Sequence, residues 1–233
     1  MSTSTLTTLI SGKIWTLDRP VWFSGARMRV RTTVVRLEDG NLLVHSPAPP
    51  TDAMAAELRA LGAVRWLVVP NRWHHLGTPL AAAGFPEAHV VAPASALPRN
   101  QALKIDVDIQ DAKFGEQVPE FEALPLVGVP FLDETVLYHR PTRTLLGADI
   151  VICATGADHW TLRIGARLTG FYGRERVPPD VRRKIRDRAA AARSLRAMLD
   201  TPAERLIVGH ADILGEGCKE RLAAAWRLEG VEV

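Results

Sequence analysis

A chain of 233 residues, 47% apolar and 24% charged, can bury one sizeable core, and its composition excludes a disordered or fibrous protein. No apolar run approaches the ~20 residues of a membrane-crossing helix, and Met1 to Ser11 lacks the basic start and apolar centre of a secretory signal. A cytoplasmic location is therefore expected, with Cys153 and Cys218 as reduced core thiols, and a net charge of +3 does not by itself mark a nucleic-acid binder.

In chain order, Ile14 to Phe23 is an extended lead-in turning at Asp18-Arg19-Pro20. Arg31 to Leu37 is β-rich. Glu38-Asp39-Gly40-Asn41 supplies a tight turn, and Leu42 to His45 resumes the strand, which predicts a hairpin. The prolines of 46–50 exclude regular structure. Thr51 then caps a helix over Asp52–Leu61, with Met54, Leu58 and Leu61 on one face and Gly62 at its end. Val64 to Val69 is a buried strand that stops at Pro70 and opens into the loop Asn71-Arg72-Trp73-His74-His75-Leu76-Gly77. A short helix around Pro79–Ala83 and a strand over His89–Ala92 follow, giving the alternation of an α/β protein.

Asp106, Asp108 and Asp111 lack the glycine and closing glutamate of a calcium loop, so 94–116 is expected to be an exposed acidic loop. Glu120–Val127 and Glu134–His139 alternate as strands. After the turn 140–143, Thr144–Ala148 is a strand that ends on Asp149. Residues 156–179 are expected to be irregular. One long helix is then predicted from Pro179 to Leu199, burying Val181, Ile185, Ala189, Ala192, Leu195 and Leu199. Leu206 to Gly209 is a further buried strand ending on His210, and a helix over Glu216–Leu228 closes the chain. With no repeat and no low-complexity linker, residues 1–233 are expected to form a single domain. From Arg163 to Arg196 lie eleven Lys/Arg against three acids. This is read as a solvated helix face, and nucleic acid is not an expected partner.

Three strands thus end on metal-capable side chains: His74/His75, Asp149 and His210. In α/β sheets, ligands gather outside the carboxyl ends of strands. Two imidazoles and a carboxylate suit zinc, iron or manganese. His45, His89, His139 and His159 have no such place and are expected to be structural or on the surface.

The hairpin, the loop Val69–Gly77, the stretch Glu134–Ile150 and Val208-Gly209-His210 together resemble the metallo-β-lactamase-fold superfamily, and within it a divergent subgroup of unknown function. The resemblance runs from about Thr32 onward. It implies a four-layer αββα sandwich of two mixed sheets flanked by helices. In that family a histidine-rich first loop, a later histidine, a bridging aspartate and a last histidine hold two metals that activate water. Here the motif positions of the first metal carry Asn71, Trp73 and a position near Pro130, none of which matches. At the second metal Asp149 and His210 match, His75 replaces an aspartate and Leu76 replaces a histidine. The implied remnant is one divalent metal on His75, Asp149 and His210, with His74 as the spare base beside Asp149 in catalysis; a slip of one residue puts His74 in the place of His75.

Two functions follow as expectations. One is a metal-dependent hydrolase acting on a small molecule that the sequence does not identify. The other is a catalytically inactive member of the fold that binds a small molecule or a partner. A polyanion-binding module built on the 163–196 region ranks behind both. No membrane partner is expected, and the oligomeric state is not set by the sequence.

Overall fold

A computed structural model describes residues 5–99 and 102–233. The α/β class expected from the alternation is the one observed, with two mixed sheets of seven and four strands and helices on both. The chain divides into two compact units: one ends at Asp18 and resumes over Arg31–Gln117, the other comprises Arg19–Val30 and Val118–Val233.

In the first unit the strands run in chain order through one sheet: β1 (Thr7–Ile10), β2 (Ile14–Phe23), β3 (Ala26–Arg36), β4 (Leu42–His45), β5 (Val64–Val68), β6 (His89–Ala92) and β7 (Val107–Asp108). Two of these, β2 and β3, are long enough that their joined ends, Arg19–Val30, belong to the second unit. From β4 to β7 the pairing is parallel, so successive strands deliver their ends to one edge. Helix α1 (Asp52–Leu61) forms as its cap requires: the Thr51 hydroxyl accepts from Met54 N at 3.2 Å. Its buried Met54 and Leu58 join Val34, Val44, Leu67 and Val90 in one core. Trimming Leu58 to alanine there is worth about 2–5 kcal/mol. The glycine after α1 answers to crowding: a Cβ on Gly62 would lie 2.3 Å from the Gly40 carbonyl oxygen. Helix α2 (Thr78–Gly84) follows β5, and α3 (Ala112–Gln117) follows β7. The acids before α3 serve the backbone: Asp106 accepts from Val90 N, Asp108 from Gln110 N and Asp111 from Lys113 N.

The second unit holds a four-stranded sheet of order β11-β10-β9-β8, with β8 (Phe121–Pro125), β9 (Thr135–His139), β10 (Thr144–Leu146) and β11 (Arg205–Ile207). Strands β10 and β11 are parallel, so they too end side by side. Around them lie α4 (Trp160–Thr169), α5 (Pro179–Arg182), α6 (Arg188–Asp200) and α7 (Cys218–Arg227). Fully buried Trp226 of α7 donates from its indole to the Ile150 carbonyl at 3.1 Å.

Three expectations are corrected. Residues 94–116, expected as an exposed acidic loop, carry a short 3-10 helix over Ala94–Arg99, β7 and most of α3, with Ile109 and Phe114 fully buried. Residues 156–179 contain α4, a ten-residue helix opened by His159, whose ring nitrogen accepts from Thr161 N. The long helix from Pro179 is two helices. The N–H groups of Arg186 and Asp187 both go to the Gly128 carbonyl, so the first helix stops and α6 restarts under an Asp187 cap that accepts from Ala190 N at 2.9 Å. The approach is so close that a Cβ on Gly128 would sit 2.2 Å from Asp187 O. Val181, Ile185, Ala192 and Leu195 are buried as expected, Ala190, Ala191 and Met198 join them, and the restart leaves Ala189 exposed and Leu199 half-buried. Among the described residues no helix is long and apolar enough to cross a membrane.

Candidate metal centre

In the first unit the site begins where β5 runs into Pro70. Asn71 is fully buried, and its side-chain oxygen accepts from Trp73 N at 2.8 Å and His74 N at 3.0 Å. This Asx-type turn fixes the loop and sets the direction in which His74 leaves it. At the loop's far end Gly77 lies where a Cβ would meet the Pro47 carbonyl oxygen at 2.2 Å, which presses the loop onto the strap after β4. On that strap Ser46 takes a positive φ of 55° and its hydroxyl lies 2.6 Å from His74 Nδ1. His74 is partly exposed, whereas His75 is buried. Beneath them His45 is buried too, and burial, with a lesser contribution from the His74 charge, pushes its pKa down to about 3. His45 is therefore a neutral ring at physiological pH, consistent with a structural role.

In the second unit, a buried carboxylate builds the site. Glu134 is 1% exposed and accepts backbone hydrogens from Ala148 and Asp149 at 2.8 Å and Ile150 at 3.3 Å. A buried charge is tolerated when several N–H groups converge on it. Those bonds curl the end of β10 so that Asp149 projects from the turn. Gly209 N donates to Ala148 O at 2.9 Å, tying the end of β11 to the same turn. His210 then lies with Nε2 3.1 Å from Asp149 Oδ1, the two side chains 8% and 15% exposed. Its other nitrogen, Nδ1, lies 2.6 Å from the Arg29 carbonyl. A carbonyl only accepts, so Nδ1 carries a proton. In the neutral ring Nε2 is then a lone pair facing a carboxylate oxygen. At that spacing the pair shares a proton, carried by either group, or both atoms face one metal ion.

The sequence-expected residues are thus placed as follows. Asp149 and His210 come together in the second unit. His74 and His75 leave the first-unit loop in different ways, one partly open and hydrogen-bonded to Ser46, one buried. Asn71 spends its side-chain oxygen on the loop backbone. Of the other histidines, His139 is fully buried against Thr142 and Glu120, His159 caps α4, and His89 is exposed beside Trp66. Glu134 and Ser46 are the residues that sequence reasoning passed over. The one available signal was an acid opening an apolar strand, since Glu134 precedes five buried residues. The arginines of 163–196 are largely engaged: Arg176 pairs with Glu229 at 2.9 Å, and Arg182, Arg188 and Arg196 donate to the carbonyls of Thr169, Glu229 and Glu232.

Against known proteins, a family profile described as a domain of unknown function (DUF4336) matches residues 11–161. No curated protein matches the chain. Solved structures with the same fold include the metallo-β-lactamase from Erythrobacter litoralis, 14% identical with a TM-score of 0.67 over 98% of this chain and 99% of that one. The enzyme from Pontibacter korlensis is 15% identical with a TM-score of 0.62, covering 97% and 98%. That from Hirschia baltica is 11% identical with a TM-score of 0.62, covering 96% of each. At these identities the likeness is one of fold, and the fold is that of the metallo-β-lactamases.

Proposed function

The chain belongs to the DUF4336 family, and from that premise we propose that it holds one divalent cation and acts as a metal-dependent hydrolase on a small molecule. The observation that carries the reading is His210 Nε2 facing Asp149 at 3.1 Å while Nδ1 is committed to the Arg29 carbonyl. Such an outer hydrogen bond fixes a ligating imidazole in the right tautomer. His74 is the third donor in this proposal, one residue from the register that named His75. It is supported by His74, Asp149 and His210 being, among the described residues, the group of His, Cys, Asp and Glu side chains that could hold a metal ion. The Ser46 hydroxyl, 2.6 Å from His74 Nδ1, can accept from that nitrogen, which is the tautomer that presents Nε2 as a donor to an ion.

Two imidazoles and one carboxylate fit zinc, iron or manganese and leave positions open. A cation bound there would acidify a water molecule and polarise a carbonyl or phosphoryl oxygen. The protein's own part is to hold these donors still: Glu134 sets the Asp149 turn, Asn71 and Ser46 set His74, and Arg29 sets His210. Asp149 would receive the proton of the attacking water.

Metal content of protein purified without chelator tests this reading, followed by zinc and manganese titration of the native chain and of Asp149→Asn and His210→Ala. Near-stoichiometric metal lost in both variants is expected, with metal-dependent turnover in a panel of lactam, lactone, thioester and phosphodiester substrates. Retention of no metal, and no binding on titration, would overturn it. A second reading, a non-catalytic binding protein, is favoured by Asn71, whose oxygen serves the loop backbone. It predicts full metal binding, or none, with no turnover of any of the four classes.

A further inference from the structure

The joined ends of β2 and β3 and the helix α4 belong to the same unit and pack on each other. Arg27 N donates to the Thr161 hydroxyl at 3.0 Å. The Trp22 ring meets His159 edge-on at 5.8 Å, and His159 meets Trp160 at 5.7 Å. Inward, Ala26 and Met28 pack with Leu162, Ala166 and Phe171. That contact satisfies the apolar needs of both elements, yet more apolar surface remains outside. Trp22 is 63% exposed, Phe23 51%, Trp160 62%, Ile164 52% and Leu168 82%. Trp160, Ile164 and Leu168 are four residues apart and so share a helix face. Exposed apolar side chains gathered in one place mark a contact surface, whereas single ones need no explanation.

The net charge of this face is positive. Residues 19–30 and 159–169 contain Arg19, Arg27, Arg29, Arg163 and Arg167 and no acid. The acids beside them are engaged: Asp158 accepts from Thr155 N, and Asp212 pairs with Arg29. At the end of α4, Arg167 lies 3.7 Å over the Tyr172 ring and, with Arg174, lines a shallow pocket of about 390 Å³ beside Gly170.

We propose that this face, formed by the β2–β3 turn and α4, docks on an anionic lipid surface, with the tryptophans and Leu168 in the interface and the arginines on the headgroup phosphates. Interfacial helices combine these features: an apolar stripe with aromatic residues, basic flanks and no length requirement for spanning. Indole rings settle at the headgroup level, and each nearby basic residue adds attraction to anionic lipid. A second copy of the chain fits worse, because a two-fold interface here would set arginine against arginine. A nucleic acid would use the arginines and the indoles but not Ile164 and Leu168. The lack of a spanning helix, which underlay the expectation of no membrane partner, does not bear on a helix lying in the interface plane.

The test is co-sedimentation of the full chain with vesicles of phosphatidylcholine alone and of phosphatidylcholine mixed with phosphatidylglycerol, read also by tryptophan emission. Binding to the mixed vesicles only, weakening with salt and blue-shifting the emission, is expected. Leu168→Ser with Ile164→Ser, and separately Arg163→Glu with Arg167→Glu, should each lower partitioning on the order of tenfold or more. All four sites lie on a solvent-facing helix, and unchanged far-ultraviolet dichroism confirms that the variants fold. No binding to anionic vesicles at low salt, or equal partitioning of wild type and variants, overturns the proposal. So does sedimentation velocity showing a dimer that Leu168→Ser dissolves, or oligonucleotide binding that survives loss of Ile164 and Leu168.

Discussion

Three backbone N–H groups around Asp149 depend on Glu134. Glu134→Gln keeps an acceptor but removes the charge. It should cost about ten- to a hundredfold in metal affinity, with a smaller loss of stability of about 1–3 kcal/mol, measured by zinc titration and denaturant melts of the same protein. Equal affinity in the two proteins would show that the turn holds Asp149 without it. At His45 the expected effect is one of pH. The folded-state pKa of about 3 lies below the ordinary histidine value of 6.5. Protons therefore favour the unfolded chain, and stability present above pH ~6.5 is lost as the pH falls towards 3. By pH 5 the loss is about 2 kcal/mol, and His45→Gln should flatten that limb of the stability curve. Parallel acid limbs in the two proteins would assign the sensitivity elsewhere.

At the scale of elements, what was legible in the chain was local. Pro70, the Asp-Gly turn, the Thr51 cap and the apolar runs before Asp149 and His210 act through their immediate neighbours, so their reading needed no tertiary information. Helix α4 was hidden because its apolar residues stand on two faces, Trp160, Ile164 and Leu168 outward and Leu162 and Ala166 inward, and the flanking glycines read as loop. The break before α6 was hidden because residues 182–188 are good helix formers, and only the distant Gly128 carbonyl takes their N–H groups. Glu134 was missed for the same reason, since its partners lie 14 to 16 residues away. The α6 restart carries its own expectation. Asp187→Ala removes the cap on Ala190 N and should lower stability by about 1 kcal/mol in thermal unfolding. Asp187→Ser should recover most of that.

For the whole molecule, the fold was recoverable from the order of the strands, while the different settings of His74 and His75, one half-buried and one buried, were not. Adjacent residues in a loop have no periodicity to tell them apart, and only the Asn71 turn, set by the fold, gives each ring its direction. A bound ion should also be felt by the chain as a whole. A ligand that binds the folded state alone adds about 2.7 kcal/mol when present at a hundred times its dissociation constant. The melting temperature in excess zinc should accordingly exceed that in chelator, and Asp149→Asn should remove the difference. Identical melting curves in zinc and chelator would argue against any ion on these residues.

The doubly used oxygen of Asn71 also limits how this scaffold can change. Retrofitting a second ion by placing an imidazole at position 71 would take the acceptor away from two buried-loop amides at once. Asn71→His should then lose about 1–3 kcal/mol in denaturant melts and release His74 from its direction, which would weaken any ion bound at the proposed site. A second ion at this loop would require the loop to be rebuilt first, so the Asn71 turn acts as a ratchet against the simplest such change.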